Sequence, residues 1–250
     1  MSSVKLPRSL AGLALGAVMV TACPAIAETL VVRASGPSAG SFSPGKRLPE
    51  GKSVTLKAGD VLTLLDGRGT RTLRGPGAFG TGASATGGGG SSIASFIGTR
   101  TTARSRTGAV RSGLMPTAPR SPNLWYVDMS KQTTACVPDP TNIKLWRPAS
   151  ADAGTVVVAG KGVSGKIAFE AGQSLVEWPV AELPVTEGVS YQLSGGGLAK
   201  PVTIRFTILA PSADGLEGTA STLIARKCDA QLDLLIETVA LPDPAPDIPS

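Results

Sequence analysis

The motif in the sequence that most strongly suggests chemistry is a glycine-rich stretch, AGKGVSGKI, at residues 159–167. Gly160, Gly165 and Lys166 have the spacing of a phosphate-binding loop, and the glycines also fit a dinucleotide-binding pattern. Both functions require a following helix whose amino end faces the phosphate. The continuation KIAFEAG alternates with a period of two, and Ile167 stands where a metal-binding hydroxyl is needed. We therefore predict a glycine-rich hairpin loop and no bound cofactor.

Catalytic groups of other kinds are scarce. The sequence contains no histidine, which removes the commonest general base and the commonest transition-metal ligand. The Gly-x-Ser-x-Gly pattern at 36–40 lies in a proline-rich segment, and without histidine its serine would need a lysine or a terminal amine as base. The acidic pairs Glu177 with Glu182 and Asp229 with Asp233 are expected at the surface. Asp139 lacks the surrounding pattern of a calcium loop. We predict a protein that is not an enzyme, with no catalytic, cofactor-binding or metal-binding residue; the alternative is an enzyme that uses carboxylates or lysines.

The first 27 residues have the pattern of an export signal. A short basic start precedes the apolar run 10–22, which is too short to span a bilayer. Small residues then allow cleavage between Ala27 and Glu28. The four residues that end at Cys23 also fit a lipoprotein cleavage box, which would leave Cys23 lipidated. The sequence thus predicts a periplasmic or secreted protein, with lipid anchoring as the alternative.

The remaining cysteines, Cys136 and Cys228, are most simply explained as one disulfide. An exported chain with a single cysteine pair meets oxidising conditions in which such a bond persists. Two free buried thiols are the alternative. Zinc is disfavoured because two cysteines without histidine cannot complete a tetrahedral site.

Residues 28–79 are predicted to form a small β-meander of four or five strands. The segment 53–58 alternates between apolar and polar residues, and Asp66-Gly67 is a strong hairpin signal. Proline-rich residues 36–51 are expected to form a loop, and Gly75-Pro76-Gly77 is expected to stop the last strand. The predicted strands are 29–34, 53–58, 61–65 and 71–74.

Residues 80–122 are predicted to be a flexible linker rich in glycine, serine and arginine. Residues 28–120 carry 13 basic and 4 acidic side chains, whereas residues 121–250 carry 9 basic and 14 acidic ones. The basic part could bind an anionic envelope surface or the acidic part of the same chain. Nucleic acid is not expected as a partner, because the compartment is wrong and few aromatic residues are available for stacking.

Residues 123–240 are predicted to form a β-sandwich that ends in two helices. Short apolar or alternating runs recur from residue 143 to residue 209, and helical spacing begins after Pro211, with Ser212 as a candidate cap. The second helix is predicted to start near Asp229. The proline-rich tail 241–250 is expected to be extended. We expect the aromatic residues of this domain to lie mostly in its core: Trp125, Tyr126, Trp146, Trp178 and Tyr191.

Two parts of the sequence resemble known families. LKAGDVLTLLDGRGTRTLRGPGAF, at 56–79, is similar to the FecR-type periplasmic domain in its Gly-Asp turn, strand, Asp-Gly turn and closing strand. That resemblance implies a β domain without catalytic residues, in a family that relays signals from outer-membrane receptors. LWRP (145–148), EWP (177–179) and VSYQL (189–193) resemble an immunoglobulin-like envelope sandwich.

Together these observations predict a mainly β, exported, two-domain protein that binds and does not catalyse. We expect an accessory, signalling or scaffold protein of the cell envelope that docks an envelope protein partner through sheet edges and loops.

Overall fold

The structure is a computed structural model that describes residues 28–81, 97, 119–131, 133–148, 152–210 and 215–241. Within these ranges the chain is mainly β with two helices near its C-terminal end, which confirms the predicted fold class. The predicted signal segment with Ala27, the candidate cap Ser212, most of the predicted linker and residues 242–250 lie outside the described residues.

The first β unit is a four-stranded antiparallel sheet with a two-stranded ribbon packed on one face. Its strands are β1 (Glu28–Ser35), β2 (Arg47–Pro49), β3 (Ser53–Leu56), β4 (Val61–Asp66), β5 (Gly69–Arg74) and β6 (Gly77–Gly80). The sheet has the order β2-β1-β4-β5, and β3 pairs with β6 to form the ribbon. Leu64 of the sheet and Phe79 of the ribbon belong to the same buried apolar cluster. The alternation of β3 follows from this packing, because Val54 and Leu56 face the sheet.

The second β unit is a sandwich of a five-stranded and a three-stranded sheet. Its strands are β7 (Val127–Asp128), β8 (Thr133–Val137), β9 (Lys144–Trp146), β10 (Gly154–Gly160), β11 (Val163–Phe169), β12 (Leu175–Glu177), β13 (Ser190–Gly195) and β14 (Val202–Ile208). The strand orders are β11-β10-β13-β14-β8 and β12-β9-β7. Val156, Leu145 and Phe206 share one core between the two sheets.

Two helices, α1 (Gly215–Ala225) and α2 (Asp229–Thr238), form a third layer that contacts both β units. Their buried residues Leu223 and Leu235 share an apolar cluster with Leu30 of β1 and with Leu209, which follows β14. The first sheet is therefore buried on both faces. This explains why β4 is an almost continuous apolar run: Leu64 faces the ribbon and Leu65 faces the helices.

Cys136 of β8 and Cys228, immediately before α2, lie at disulfide distance and are bonded, with their Cα atoms 6.0 Å apart. Both side chains are fully buried in the cluster that contains the helices. The bond therefore ties the start of α2 to the second β unit.

Several local expectations are wrong. Residues 36–51 are not only a loop, because they contain a 3-10 turn at Ala39–Ser41 and strand β2. The Gly75-Pro76-Gly77 segment ends β5 but also begins β6, so the first unit has six strands in the described residues. By contrast, Ile97, one of the few large apolar residues of the predicted linker and therefore a candidate to dock on a neighbour, does pack against the helix cluster. Its carbonyl oxygen accepts a hydrogen bond from Trp125 Nε1 at 2.6 Å.

Candidate functional site: the sheet edges

The sheet edges are the surfaces on which the predicted docking function depends, because edge strands present backbone N–H and C=O groups that another chain can pair with. In the first sheet the edges are β2 and β5. β2 has only three residues and ends in Pro49, which has no N–H to donate. The β5 edge is occupied at Thr70, which forms a parallel bridge with Ala240. Neither strand offers a long, unoccupied edge.

A side chain of α2 covers the β8 edge of the five-stranded sheet at Cys136. Gln231 Oε1 accepts a hydrogen bond from Cys136 N at 2.6 Å, and Gln231 Nε2 donates to Cys136 O at 2.9 Å. The same Nε2 donates to Leu124 O at 2.8 Å. The amide of Gln231 thus satisfies both outward backbone groups of Cys136, as a neighbouring strand would.

The opposite edge of this sheet is β11, which begins at a tight turn. β10 and β11 pair in continuous register up to Gly160 and Val163, so Lys161 and Gly162 form a two-residue loop. Their φ angles of 42° and 78° are both positive, as a type I′ turn requires. The AGKGVSGKI stretch is therefore a hairpin, as the sequence predicts, and it is not followed by the helix that a phosphate-binding loop needs.

The turn fixes which backbone groups of β11 point outward. Because the residues that flank a two-residue loop bond to each other, Val163, Gly165 and Ile167 bond to β10. The N–H and C=O groups of the alternate residues then face away from the sheet. These residues are Ser164, Lys166 and Ala168, and none of them makes a further backbone hydrogen bond to the part of the chain that the structure describes.

The open strand is held firmly from its inner side. A Cβ atom at Gly165 would lie 3.1 Å from Leu183 Cδ1, so glycine lets the Leu183 side chain cover this position. Leu183 is itself fixed, because its carbonyl oxygen accepts a hydrogen bond from the buried Trp178 Nε1 at 2.7 Å. A binding strand that is already ordered loses little conformational entropy when a partner adds to it.

A buried arginine fixes the far end of β11. Only 4% of Arg147 is exposed, and its guanidinium carbon lies 4.5 Å from the centre of the Phe169 ring. Its N–H groups donate at 3.0 to 3.3 Å to four backbone carbonyl oxygens, those of Asp152, Glu170, Gln173 and Gly196. The Arg147 guanidinium therefore connects the loops at this end of the sandwich through hydrogen bonds to their carbonyl oxygens.

The hairpin carries positive charge next to the open edge. Lys161 lies in the turn, and Lys166 occupies the centre of β11 with its side chain exposed. Glu177 of the three-stranded sheet forms an ion pair with Lys144, and the hydrogen bond and charge of Lys144 lower the pKa of the Glu177 carboxyl. The open strand itself contains no acidic residue.

Two other acidic residues with lowered pKa values, Asp60 and Asp139, stabilise turns. The backbone N–H of Ser38 donates to Asp60 Oδ1 at 2.8 Å and holds the pKa of Asp60 below its usual value. The hydroxyl and N–H of Thr141 donate to Asp139 and lower its pKa in the same way. Asp139 therefore caps a turn.

The predicted aromatic core is present. Trp178, Tyr191 and Phe206 meet edge-to-face with ring centres 5.3 to 5.6 Å apart, and Trp146 is also buried. Trp125 and Tyr126 are only half-buried.

A cavity of about 480 Å³ lies between β1 and the helix pair. A β-bulge after Val31 directs the consecutive side chains of Val32 and Arg33 towards the helices, where Val32 is buried and Arg33 forms an ion pair with Asp233. The cavity is therefore part of the interface between the first sheet and the two helices.

Sequence reasoning did not identify Gln231 or Arg147. A signal existed for Gln231, since it lies one helical turn before Leu235 on the buried stripe of α2, where a polar residue needs partners. For Arg147, between Trp146 and Pro148, the sequence offers no comparable signal.

The described residues contain no helix long and apolar enough to cross a membrane, and no group of three or more acidic or cysteine side chains arranged to hold a metal ion. The fold and the edges define a mainly β protein in which a helical layer joins a small sheet unit to a sandwich. No family model, curated protein or solved structure matches the chain.

Proposed function

We propose that this chain is an exported, non-enzymatic binding protein of the cell envelope, which docks a protein partner by adding an extended segment of that partner to the β11 edge. The observation that carries the proposal is the seven-residue strand Val163–Phe169, whose outward N–H and C=O groups have no backbone partner within the described ranges. β-Strand addition uses such groups for affinity and the alternating side chains for specificity.

The other sheet edges are less suited than β11 to the addition of a partner strand. β8 is covered at Cys136 by Gln231, β5 is occupied at Thr70, and β2 is short and ends in proline. The edges of the three-stranded sheet, β7 and β12, have only two and three residues. β11 is longer than either, and it lies on a hairpin held by Arg147 and Leu183. The exposed Lys166 at its centre favours a partner segment with an acidic residue at the facing position. It also disfavours a second copy of the same strand, because antiparallel pairing about the centre would place Lys166 opposite Lys166.

Export is part of the proposal and rests on the signal pattern together with the disulfide. Cys136 and Cys228 are bonded in a buried position, which suits an oxidising compartment. The β-branched run that starts at Thr29 follows Cys23 after only a few residues, and such a short tether favours ordinary cleavage over lipidation.

The sequence resemblances to two families of envelope domains suggest where in the cell this binding takes place. The FecR-like segment 56–79 runs from the last residue of β3 through β4 and β5 into β6, and it suggests a role in envelope signalling. The immunoglobulin-like sandwich would then carry the partner-binding strand.

The test is photo-crosslinking in envelope fractions, with a photoreactive residue at position 164, next to the open edge. A matched position is Gln192, which is exposed on β13 inside the same sheet. We expect one defined protein adduct from position 164 and none from position 192. Equal labelling from both positions, or recovery of lipid or glycan alone, would overturn the proposal.

A pair of substitutions at one residue makes the test specific for backbone pairing. Lys166→Pro removes the outward N–H and leaves the β10 bonds of Val163, Gly165 and Ile167 in place, whereas Lys166→Gln keeps the N–H. We expect the adduct from position 164 to disappear with proline and to persist, at reduced yield, with glutamine. Circular dichroism would establish that both variants are folded. Retention of the adduct in a folded proline variant would contradict strand addition.

A further inference from the structure

The outer face of β11 carries one large side chain between two small ones. Lys166 lies at the centre, with Ser164 and Ala168 two residues away on either side, and all three side chains are exposed. Residues two apart along a strand share a face and lie about 7 Å from each other. The register with β10 continues these positions inward: Ser164 pairs with Ala159, Lys166 with Val157 and Ala168 with Thr155. Lys166 therefore stands between two shallow depressions along the open edge.

The centre of this surface is both basic and partly apolar. Val157 is 40% exposed and is the one large apolar side chain exposed to this degree within the described residues. It faces Lys166 in a pair without mutual backbone hydrogen bonds, a geometry that brings the two side chains close together. The lysine methylene groups can cover the valine while the ammonium group stays in water. The edge thus presents a positive charge above an apolar base.

No acidic side chain of the sheet neutralises Lys166. Within the described residues it forms no ion pair. The five strands of its sheet contain no aspartate or glutamate, and their charged residues are Lys166 and Arg205. Glu170, which is exposed, follows Ala168 by two residues, beyond the end of the strand. A carboxylate from a partner is therefore favoured beside Lys166 and disfavoured at the Ala168 end.

A strand added to β11 would place one residue beside each of these three positions. A residue of the added strand that aligns with a β11 residue has its side chain on the same face. The residue beside Lys166 gains from a negative charge. The residues beside Ser164 and Ala168 have room for large side chains, which would bury apolar surface in the two depressions.

We propose that the partner segment has an acidic residue at its centre, with a large apolar or aromatic residue two positions before it and another two positions after it. This inference rests on strand addition at β11, and it names the sequence pattern that the edge selects. The pattern reads the same in both directions, so it applies to a parallel and to an antiparallel partner.

Selection from a displayed library of random peptides tests the pattern. Peptides of seven random residues, the length of β11, are selected on the full chain. Sequences that also bind the folded Lys166→Pro variant are discarded, because proline removes an N–H that strand addition needs. We expect acidic over basic residues at the centre, and large residues over alanine at both flanks, each enriched by up to about fivefold per round.

Two variants of the chain test which residues read the pattern. Lys166→Glu should reverse the central preference from acidic to basic. Ala168→Tyr fills one depression and should change the preference at the facing position from large to small. The matched control is Arg205→Glu, which reverses an exposed charge on β14, away from the edge, and should leave both preferences unchanged.

The outcomes separate this inference from strand addition itself. Enrichment of a different pattern, such as a basic centre or small flanks, would overturn the inference and leave strand addition at β11 standing. An acidic preference that persists in Lys166→Glu would also overturn it, because Lys166 would then not read the acid. If no sequence distinguishes the unchanged chain from the Lys166→Pro variant, strand addition is contradicted and the inference fails with it.

Discussion

Replacement of Gln231 by leucine is expected to destabilise the protein strongly, although it introduces an apolar side chain of similar size into a buried site. Only 7% of Gln231 is exposed, and its amide makes three hydrogen bonds to the backbone of Cys136 and Leu124. A net contribution of about 1 kcal/mol per bond, with an added cost for the buried backbone groups left without partners, gives a loss of about 3–5 kcal/mol.

Urea denaturation followed by circular dichroism measures this loss as a fall in the free energy of unfolding. The matched control is Gln192→Leu on the exposed face of β13, which should change the stability by less than about 0.5 kcal/mol. If Gln231→Leu costs less than about 1 kcal/mol, then the amide does not close the β8 edge and the assignment of covered and open edges is wrong.

Three other perturbations have expected outcomes. Replacing both Cys136 and Cys228 by alanine opens a loop of 92 residues and should lower the free energy of unfolding by up to about 4–5 kcal/mol. This loss would be measured as a lower melting temperature. An unchanged melting temperature would refute a stabilising disulfide. Asp60 has a pKa below its usual 3.8 in the folded chain, so its contribution is complete above about pH 4 and is lost as the pH falls through the folded pKa. Asp60→Asn should therefore flatten the acid limb of a stability–pH curve from urea titrations, and an equally steep limb would contradict this. Arg33→Ala breaks the ion pair with Asp233, whose two side chains are 46% and 48% exposed. Urea denaturation should therefore show that the free energy of unfolding falls by at most about 1 kcal/mol, and by less in high salt. A larger loss that does not depend on salt would show that Arg33 stabilises the fold in another way.

The strands that the sequence predicts are those whose signal is local. β4 and β10 are runs of apolar and β-branched residues, and the turns beside them carry strong hairpin residues. The helices are likewise visible from the spacing of their apolar residues. These elements follow from side-chain periodicity and turn chemistry alone, so their positions could be predicted closely.

The elements missed by the sequence depend on distant partners. β8 pairs in parallel with β14, about 70 residues further along the chain, and β7 has only two residues. β2 lies inside a proline-rich segment and exists because β1 offers it an edge. Periodicity carries no information on such pairings, and tertiary context determines whether these short segments become strands.

The same limit applies to the candidate site. The sequence identifies the β10–β11 hairpin from its glycines, but whether an edge is open depends on which other elements reach it. β8 is covered at Cys136 because α2 docks there through Gln231, and the apolar stripe of that helix does not reveal its target. The sequence predicts docking through sheet edges, but only the folded structure indicates which strand would bind the partner.

Whether the β11 edge is open can be measured by residue-resolved amide hydrogen exchange on the free protein. We predict an alternating pattern along the strand, with fast exchange at Ser164, Lys166 and Ala168 and slow exchange at Gly165 and Ile167. Uniformly slow exchange along the whole of β11 would show that another part of the chain already covers this edge, and β11 would then not be free to add a partner strand.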